Sequence, residues 1–191
     1  MYELLVLGML MSRNMSGYKL RDVLGSALVP RRKISNGVMY PLLSKLEANG
    51  DIIFIEEPND PRNKRLAQIT EVGKTHFYQQ MAQPVPDNNA RNESIYRFKF
   101  RGLFAVDATQ QKQILQDYAD KVREDLNIYN EIHQHLLQLL TQDTSNKEAI
   151  HAGIQSIELS MTICEAKQAW VGQYLDEIQN KEQHNEAKNE Y

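Results

Sequence analysis

The feature that most constrains this chain is a pair of long heptad patterns in its second half. Apolar residues recur at alternating steps of three and four from Leu115 to Leu139 and again from Ile150 to Ile178, with one polar residue in each pattern, Asp125 and Gln168. Both patterns reach the roughly three to four heptads that indicate a coiled coil. The polar run Thr141–Asn146 between them predicts a helix-to-helix turn. The second half is therefore expected to form an antiparallel helical hairpin.

Two helices alone bury little apolar surface, so the hairpin needs a partner. The partner is either the first half of the chain or, as we expect, a second copy of the whole chain in a homodimer. The residues expected at that interface all lie on the two heptad seams: Leu115, Tyr118, Val122, Ile157, Met161, Cys164 and Val171.

The first half has a different pattern, with three short helices within about fifty residues. Apolar residues of Leu4–Met11 fit a first helix, Ser16 is a start signal for the second, and Ser35 for the third. The third helix should end at Asn49-Gly50, since glycine readily adopts the left-handed conformation that helix ends favour.

A β-hairpin and a fourth helix should follow. Asp51–Glu57 and Lys64–Ile69 are rich in apolar and β-branched residues, and Pro58–Asn63 between them has turn chemistry. Thr70 is a candidate N-cap for the fourth helix, which should end before Pro84. Three helices followed by a charged hairpin are the order of elements in a winged helix-turn-helix.

These elements predict a mainly α (α+β) protein with two domains. We place a winged helix-turn-helix domain at residues 1–83, a linker at 84–92, a helical dimerisation and effector domain at 93–182, and a disordered tail at 183–191. Residues 1–83 carry 11 Lys+Arg against 8 Asp+Glu, whereas the remainder carries 11 against 17. The first domain can therefore approach a polyanion, and the acidic second domain should face away from it.

The predicted fold makes double-stranded DNA the expected partner. In a winged helix-turn-helix the third helix enters the major groove, and in a dimer two such helices read half-sites about 34 Å apart in a palindromic operator. Basic side chains before the helix and on the hairpin would contact phosphate, and the exposed face of the helix would contact base edges. The predicted DNA-binding residues are Ser16, Tyr18, Arg31, Arg32, Lys33, Ser35, Asn36, Tyr40, Lys45, Arg62, Lys64 and Arg65.

The motifs of the first half resemble those of the PadR family of bacterial transcriptional regulators. The similar strings are Ser16-Gly-Tyr18, then Ser35-x-Gly-x-Met-Tyr-Pro-x-Leu-x-x-Leu-Glu-x-x-Gly50, and Ile69-Thr-x-x-Gly73. The helical second half resembles, in pattern only, the virulence-activator-type C-terminal domain of larger members, which include phenolic-acid-responsive repressors. The resemblance implies a dimeric repressor that binds a palindromic operator and is released by a small aromatic ligand. This chain has Arg31-Arg32 where many members carry two aromatics.

The segment from Tyr96 to Phe104 alternates aromatic and cationic residues and has three interpretations. It could bind RNA, form the packed root of the dimerisation domain, or contribute to a pocket for an aromatic carboxylate, which needs a stacking surface and a cation. The acidic setting favours the second interpretation over the first. The predicted effector-pocket residues are Tyr96, Arg97, Lys99, Phe100, Gln168 and Trp170.

Other classes of function are disfavoured. The sequence has no nucleophile motif and no glycine-rich phosphate loop, so we expect neither an enzyme nor a cofactor. His133 and His135 are two positions apart, which is the wrong spacing for metal ligands on a helix, so no metal site is expected. A lone Cys164 and the lack of a long apolar segment indicate a cytoplasmic protein without a membrane span. The alternative to a regulator is a coiled-coil protein-interaction module without DNA binding.

Overall fold

The computed structural model describes residues 1–56, 65–86, 92–141 and 146–189, with the backbone alone for 185–189. The chain forms two compact units, residues 1–110 and 111–191. The helices and strands run in this order: α1 Tyr2–Leu10, α2 Gly17–Ala27, α3 Asn36–Ala48, β1 Ile52–Glu56, β2 Arg65–Ile69, α4 Glu71–Ala82, α5 Asn92–Gly102, a 3-10 turn Leu103–Ala105, α6 Ala108–Thr141 and α7 Lys147–Asn189. The mainly α fold with a small antiparallel hairpin confirms the predicted fold class.

Helix α1 lies at the centre of the first unit because it is apolar on nearly every face. It contacts α2, α3, α4, α5 and β2. Phe77 of α4 is fully buried against it, and a Cβ added at Gly8 would lie 3.1 Å from the Phe77 ring. The buried side chains of α1 are Leu4, Leu5, Val6, Leu7 and Leu10. Small and large residues thus interlock where α1 crosses α4.

Ser16, Ser35 and Thr70 each directly precede a helix as predicted, and the side chains of Ser16 and Thr70, but not that of Ser35, cap it. The Ser16 hydroxyl accepts a hydrogen bond from the Lys19 amide at the start of α2, and the Thr70 hydroxyl accepts one from the Gly73 amide at the start of α4. Gly50, just after α3, has φ +76°, the left-handed conformation expected of it. These local contacts satisfy amides that a helix N-terminus otherwise leaves unpaired.

The hairpin is a two-stranded antiparallel sheet in which Ile52 pairs with Ile69 and Glu56 pairs with Arg65. The backbone of Met15, between α1 and α2, adds a bridge to Ala67 on β2. The predicted wing tip, with Arg62 and Lys64, lies outside the described residues. The base of the hairpin is fixed to the helices on both of its strands.

The first unit extends beyond the predicted boundary at 84–92, because α5 belongs to it. Helix α5 packs against α1, and the Ser94 hydroxyl donates to the Val29 carbonyl at 3.3 Å and accepts from the Val29 amide at 3.0 Å. The side chains of Tyr96 and Phe98 are buried there. The segment 96–104, expected at the root of the dimerisation domain, therefore contributes to the core of the first unit instead.

The second unit is an antiparallel helical hairpin, as the heptads predicted. Residues of α6 and α7 meet in reverse order along the pair: Lys112 with Glu182, Tyr118 with Lys167, and His133 with Glu158. The predicted turn overlaps residues 142–145, which lie outside the described residues. Helix α7 continues to Asn189, so the tail predicted to be disordered from residue 183 is helical for most of its length.

None of the helices in the described parts of the chain is both long and apolar enough to span a membrane.

Candidate DNA interface

Helix α3 has one buried face and one exposed face, which defines the surface available to a ligand. Met39, Leu43 and Leu46 are buried at steps of four and three. The opposite face consists of exposed side chains, including the predicted base-contacting residues Asn36 and Tyr40, the latter 57 % exposed. Pro41 lies within α3, which nevertheless runs without interruption from Asn36 to Ala48.

The first turn of α2 lies beside α3. A Cβ added at Gly17 would be 3.1 Å from Leu43 and 3.8 Å from the Tyr40 ring, so the small Gly17 permits this approach. The next residue, Tyr18, is 64 % exposed. Ser16, Tyr18 and Tyr40 therefore lie close together at the surface.

The basic loop between α2 and α3 forms an open cleft with α2. The cleft has a volume of about 760 Å³, and Tyr18, Arg21, Arg31, Arg32 and Lys33 line it. The Arg32 amide donates to the Gly25 carbonyl at 3.3 Å, so the loop runs close over α2. Four cations around one cleft make a surface suited to phosphate groups.

Two of the predicted cations are already paired within the unit. Lys45 Nζ lies 2.7 Å from Glu3 Oε1, and this hydrogen bond, together with the charge of Glu3, raises the pKa of Lys45. Arg65 lies 3.8 Å from Glu47, with its guanidinium 4.5 Å from the centre of the Phe54 ring. Both pairs are solvent exposed and hence weak, so a phosphate can compete for either cation.

Arg21 also lies on this candidate surface, although the sequence did not single it out. Its Nη1 donates to Asn36 Oδ1 at 2.7 Å, and its guanidinium lies 4.6 Å from the centre of the Tyr18 ring. The sequence does place Arg21 three positions after Tyr18, on the same face of α2. The bond to Asn36, fifteen residues further on, depends on how α2 packs against α3.

The predicted effector residues are not equivalent in the structure. The buried Lys99 ammonium donates to the carbonyls of Met81, at 2.8 Å, and Gln83. It therefore serves the C-terminal end of α4, where free carbonyls carry partial negative charge. We correct its predicted role from effector binding to stabilising the fold.

Three of the other predicted effector residues, Tyr96, Phe100 and Trp170, have aromatic neighbours. On α5, Tyr96 stacks on Phe100 with ring centres 6.2 Å apart, and Arg97 pairs with Glu93 at 3.2 Å. In the second unit, the exposed Trp170 lies 5.6 Å from Tyr174 between ring centres, and Gln168 is half-buried.

The predicted dimer interface needs correction as well. Five of its residues are buried within the single chain and cannot contact a partner without rearrangement: Leu115, Tyr118, Val122, Cys164 and Val171. Ile157 and Met161 are half-buried. The seams are thus used between α6 and α7 of the same chain, because an antiparallel hairpin buries its own seam first.

The chain is similar to several solved regulator structures. With Bacillus subtilis PadR in complex with operator DNA it shares 18 % identity over 92 % of this chain and 98 % of that one, at a TM-score of 0.41. With the PadR-like transcriptional regulator BC1756 from Bacillus cereus it shares 21 % identity over 95 % of this chain and 99 % of that one, at a TM-score of 0.37. With the Vibrio cholerae virulence activator AphA it shares 16 % identity over 95 % of this chain and 99 % of that one, at a TM-score of 0.40. No model of a protein family matches the sequence, and no curated protein matches it.

Proposed function

We propose that this protein is a dimeric, sequence-specific DNA-binding transcriptional regulator, and specifically a repressor released by a small aromatic effector. The observation that supports it best is the continuous surface formed by the exposed face of α3 and the cationic cleft beside it. An exposed helix of this size fits the major groove, and the flanking cations fit the phosphates on its edge. Asn36 and Tyr40 would contact bases, and Arg31, Arg32 and Lys33 would contact phosphate.

Homodimerisation is proposed on apolar side chains that the hairpin leaves uncovered. Leu159 and Ile163 of α7 are 63 % and 48 % exposed, and Ile128 and Ile132 of α6 are also exposed. The register that places His133 beside Glu158 puts Ile132 level with Leu159 and Ile128 level with Ile163. A concentration of exposed isoleucine and leucine at one level is typical of a protein interface. These four residues replace the seam residues as the proposed contact with a second copy.

A small aromatic acid, such as a phenolic acid, is proposed as the effector. The sequence resemblance to phenolic-acid-responsive repressors supports this class of ligand. The half-buried Phe100, which stacks on the buried Tyr96, and the exposed Arg97 supply aromatic surface and a cation for it. Release would require the ligand to favour a dimer geometry whose two α3 helices no longer match the groove spacing.

Fluorescence anisotropy of the full-length protein tests the proposal. Binding is measured to a duplex from the region upstream of its own gene and to a scrambled duplex, at about 50 and 200 mM salt. We expect tighter, salt-dependent binding to the upstream duplex and its loss on titration with phenolic acids. Arg123→Ala, which removes an exposed cation of the acidic second unit, should bind like the wild type and serves as the control.

The other outcomes are equally informative. Equal, weak binding to both duplexes would send the search for an operator to random sequences. Absence of binding at low salt would contradict the proposal and favour the protein-interaction module. Unchanged binding in the presence of phenolic acids would refute the effector class alone.

A further inference from the structure

The Arg21 side chain is held by three groups at once. Its Nη1 donates to Asn36 Oδ1, its guanidinium carbon lies 4.6 Å from the Tyr18 ring centre, and its Nη2 lies 3.6 Å from Asp22 Oδ1. The side chain is only 25 % exposed. A guanidinium fixed by a ring, a carboxylate and an amide has little freedom to turn away from Asn36.

This arrangement determines which way the Asn36 amide faces. A guanidinium has five donors and no acceptor, so only the carbonyl oxygen of Asn36 can lie against it. The amide nitrogen must then point to the other side of the side chain. Asn36 is exposed on the first turn of α3, so its two N–H donors lie at a surface where a ligand can reach them.

A base edge would meet mainly donors at this position. An asparagine that reads adenine in the major groove uses both ends of its amide, donating to N7 and accepting from the N6 amino group. Here one lone pair of the carbonyl oxygen accepts from Arg21, and a base amino group would have to approach the other beside the guanidinium cation. Guanine presents two acceptors, N7 and O6, on the same edge, and this matches an amide whose nitrogen is more accessible to a base than its oxygen.

We propose that Arg21 is a positioning residue that makes Asn36 a donor towards DNA, so that Asn36 selects guanine over adenine at one position of each half-site. The inference rests on the proposed function and adds to it the base that is read and the residue that determines it. Arg21 acts through Asn36 and needs no contact with the base.

The test is sequencing of duplexes selected from a randomised pool by the full-length protein and its variants. Asn36→Ala identifies the position that Asn36 reads, since only that position should lose its preference. At this position we expect the wild type to favour guanine over adenine by about tenfold. Arg21→Met keeps the aliphatic stem and frees the amide, so the ratio should fall to about one or reverse, with the other positions unchanged.

Two further variants test whether Arg21 acts by positioning Asn36 and not through its charge or through the folding of the protein. Lys19→Ala removes an exposed cation from the same helix and should weaken binding to all sequences without altering the guanine preference. Asn36→Asp keeps an acceptor for Arg21 but removes the donors, so guanine should lose its advantage and cytosine, with its N4 donor, should gain. Asn36→Asp changes an exposed side chain, so it tests the inference even if thermal melting shows that Arg21→Met fails to fold.

The outcomes distinguish the inference from the function it rests on. A wild-type motif with adenine at the Asn36 position, or a guanine preference that Arg21→Met leaves intact, would overturn the inference and leave DNA recognition standing. A wild-type protein that enriches no sequence would refute the proposed function and the inference with it.

Discussion

Replacing Gly73 with alanine tests how the hairpin is fixed to the helices of the first unit. The added Cβ would lie 2.1 Å from the Asp51 carbonyl oxygen and 2.9 Å from Ile69 Cγ1. The Asp51 oxygen belongs to the backbone, so it cannot move aside by a change of side-chain rotamer. A normal C···O contact is near 3.3 Å, so the start of α4 and the start of β1 must separate by about 1 Å.

The cost can be worked out from the contacts that this separation breaks. The Asp51 carbonyl accepts from the Thr70 amide at 3.0 Å and from the Thr70 hydroxyl at 3.1 Å. The Thr70 hydroxyl has one hydrogen, which the Gly50 carbonyl 2.6 Å away can still accept, so only the amide bond is lost, at a cost of about 1 kcal/mol. Overpacking adds about 2 kcal/mol, and alanine recovers about 1 kcal/mol through its higher helix propensity. The net loss is about 2 kcal/mol, which lowers the Tm of a unit of this size by about 8 °C.

Circular dichroism melting at one protein concentration measures the effect. Gly172→Ala is the matched control, because it makes the same change in α7 where no atom lies within 4 Å of the added Cβ. The control should leave the Tm unchanged or raise it slightly. If Gly73→Ala melts within about 2 °C of the wild type, the close approach of α4 to β1 is not needed and the reasoning fails.

Three further predictions concern the second unit, the cleft and the buried lysine. The double variant Leu159→Glu, Ile163→Glu should turn a dimer into a folded monomer in light scattering after gel filtration, and a persisting dimer would exclude this face. Lys33→Ala should weaken binding to all duplexes alike and reduce the salt slope by about one in anisotropy, whereas a loss confined to the operator would contradict a phosphate contact. Lys99→Met should destabilise the first unit by roughly 3 kcal/mol in thermal melting; an unchanged Tm with lost effector response would restore its predicted ligand role.

The elements that could be predicted from the sequence are those with local signals. The heptads of α6 and α7, the Ser16 and Thr70 caps and the left-handed Gly50 each involve residues within a few positions of one another. Each of the two caps is a hydrogen bond between residues three positions apart, and the Gly50 conformation concerns one backbone angle. Such local features form largely independently of the rest of the chain, so the sequence pattern predicts them directly.

The dimer interface could not be predicted in the same way. Periodicity shows which face of a helix is apolar but not which surface covers it. Leu115 and Val171 lie on predicted seams and are buried by their own chain, whereas Leu159 and Ile163 lie off the seam of α7 and remain exposed. A helix with two apolar faces needs the tertiary structure to show which of them is already occupied.

The sequence by itself determined the order of the elements, the winged helix-turn-helix arrangement and the exposed face of α3, because these follow from spacing along the chain. Only the tertiary structure decided the partners of individual side chains. The hydrogen-bonded pairs Lys45 and Glu3, Ser94 and Val29, and Arg21 and Asn36 are 42, 65 and 15 residues apart in the sequence. The physical reason is that a side-chain hydrogen bond requires two groups within about 3 Å. For residues so far apart in the chain, only the packing of the helices brings them that close.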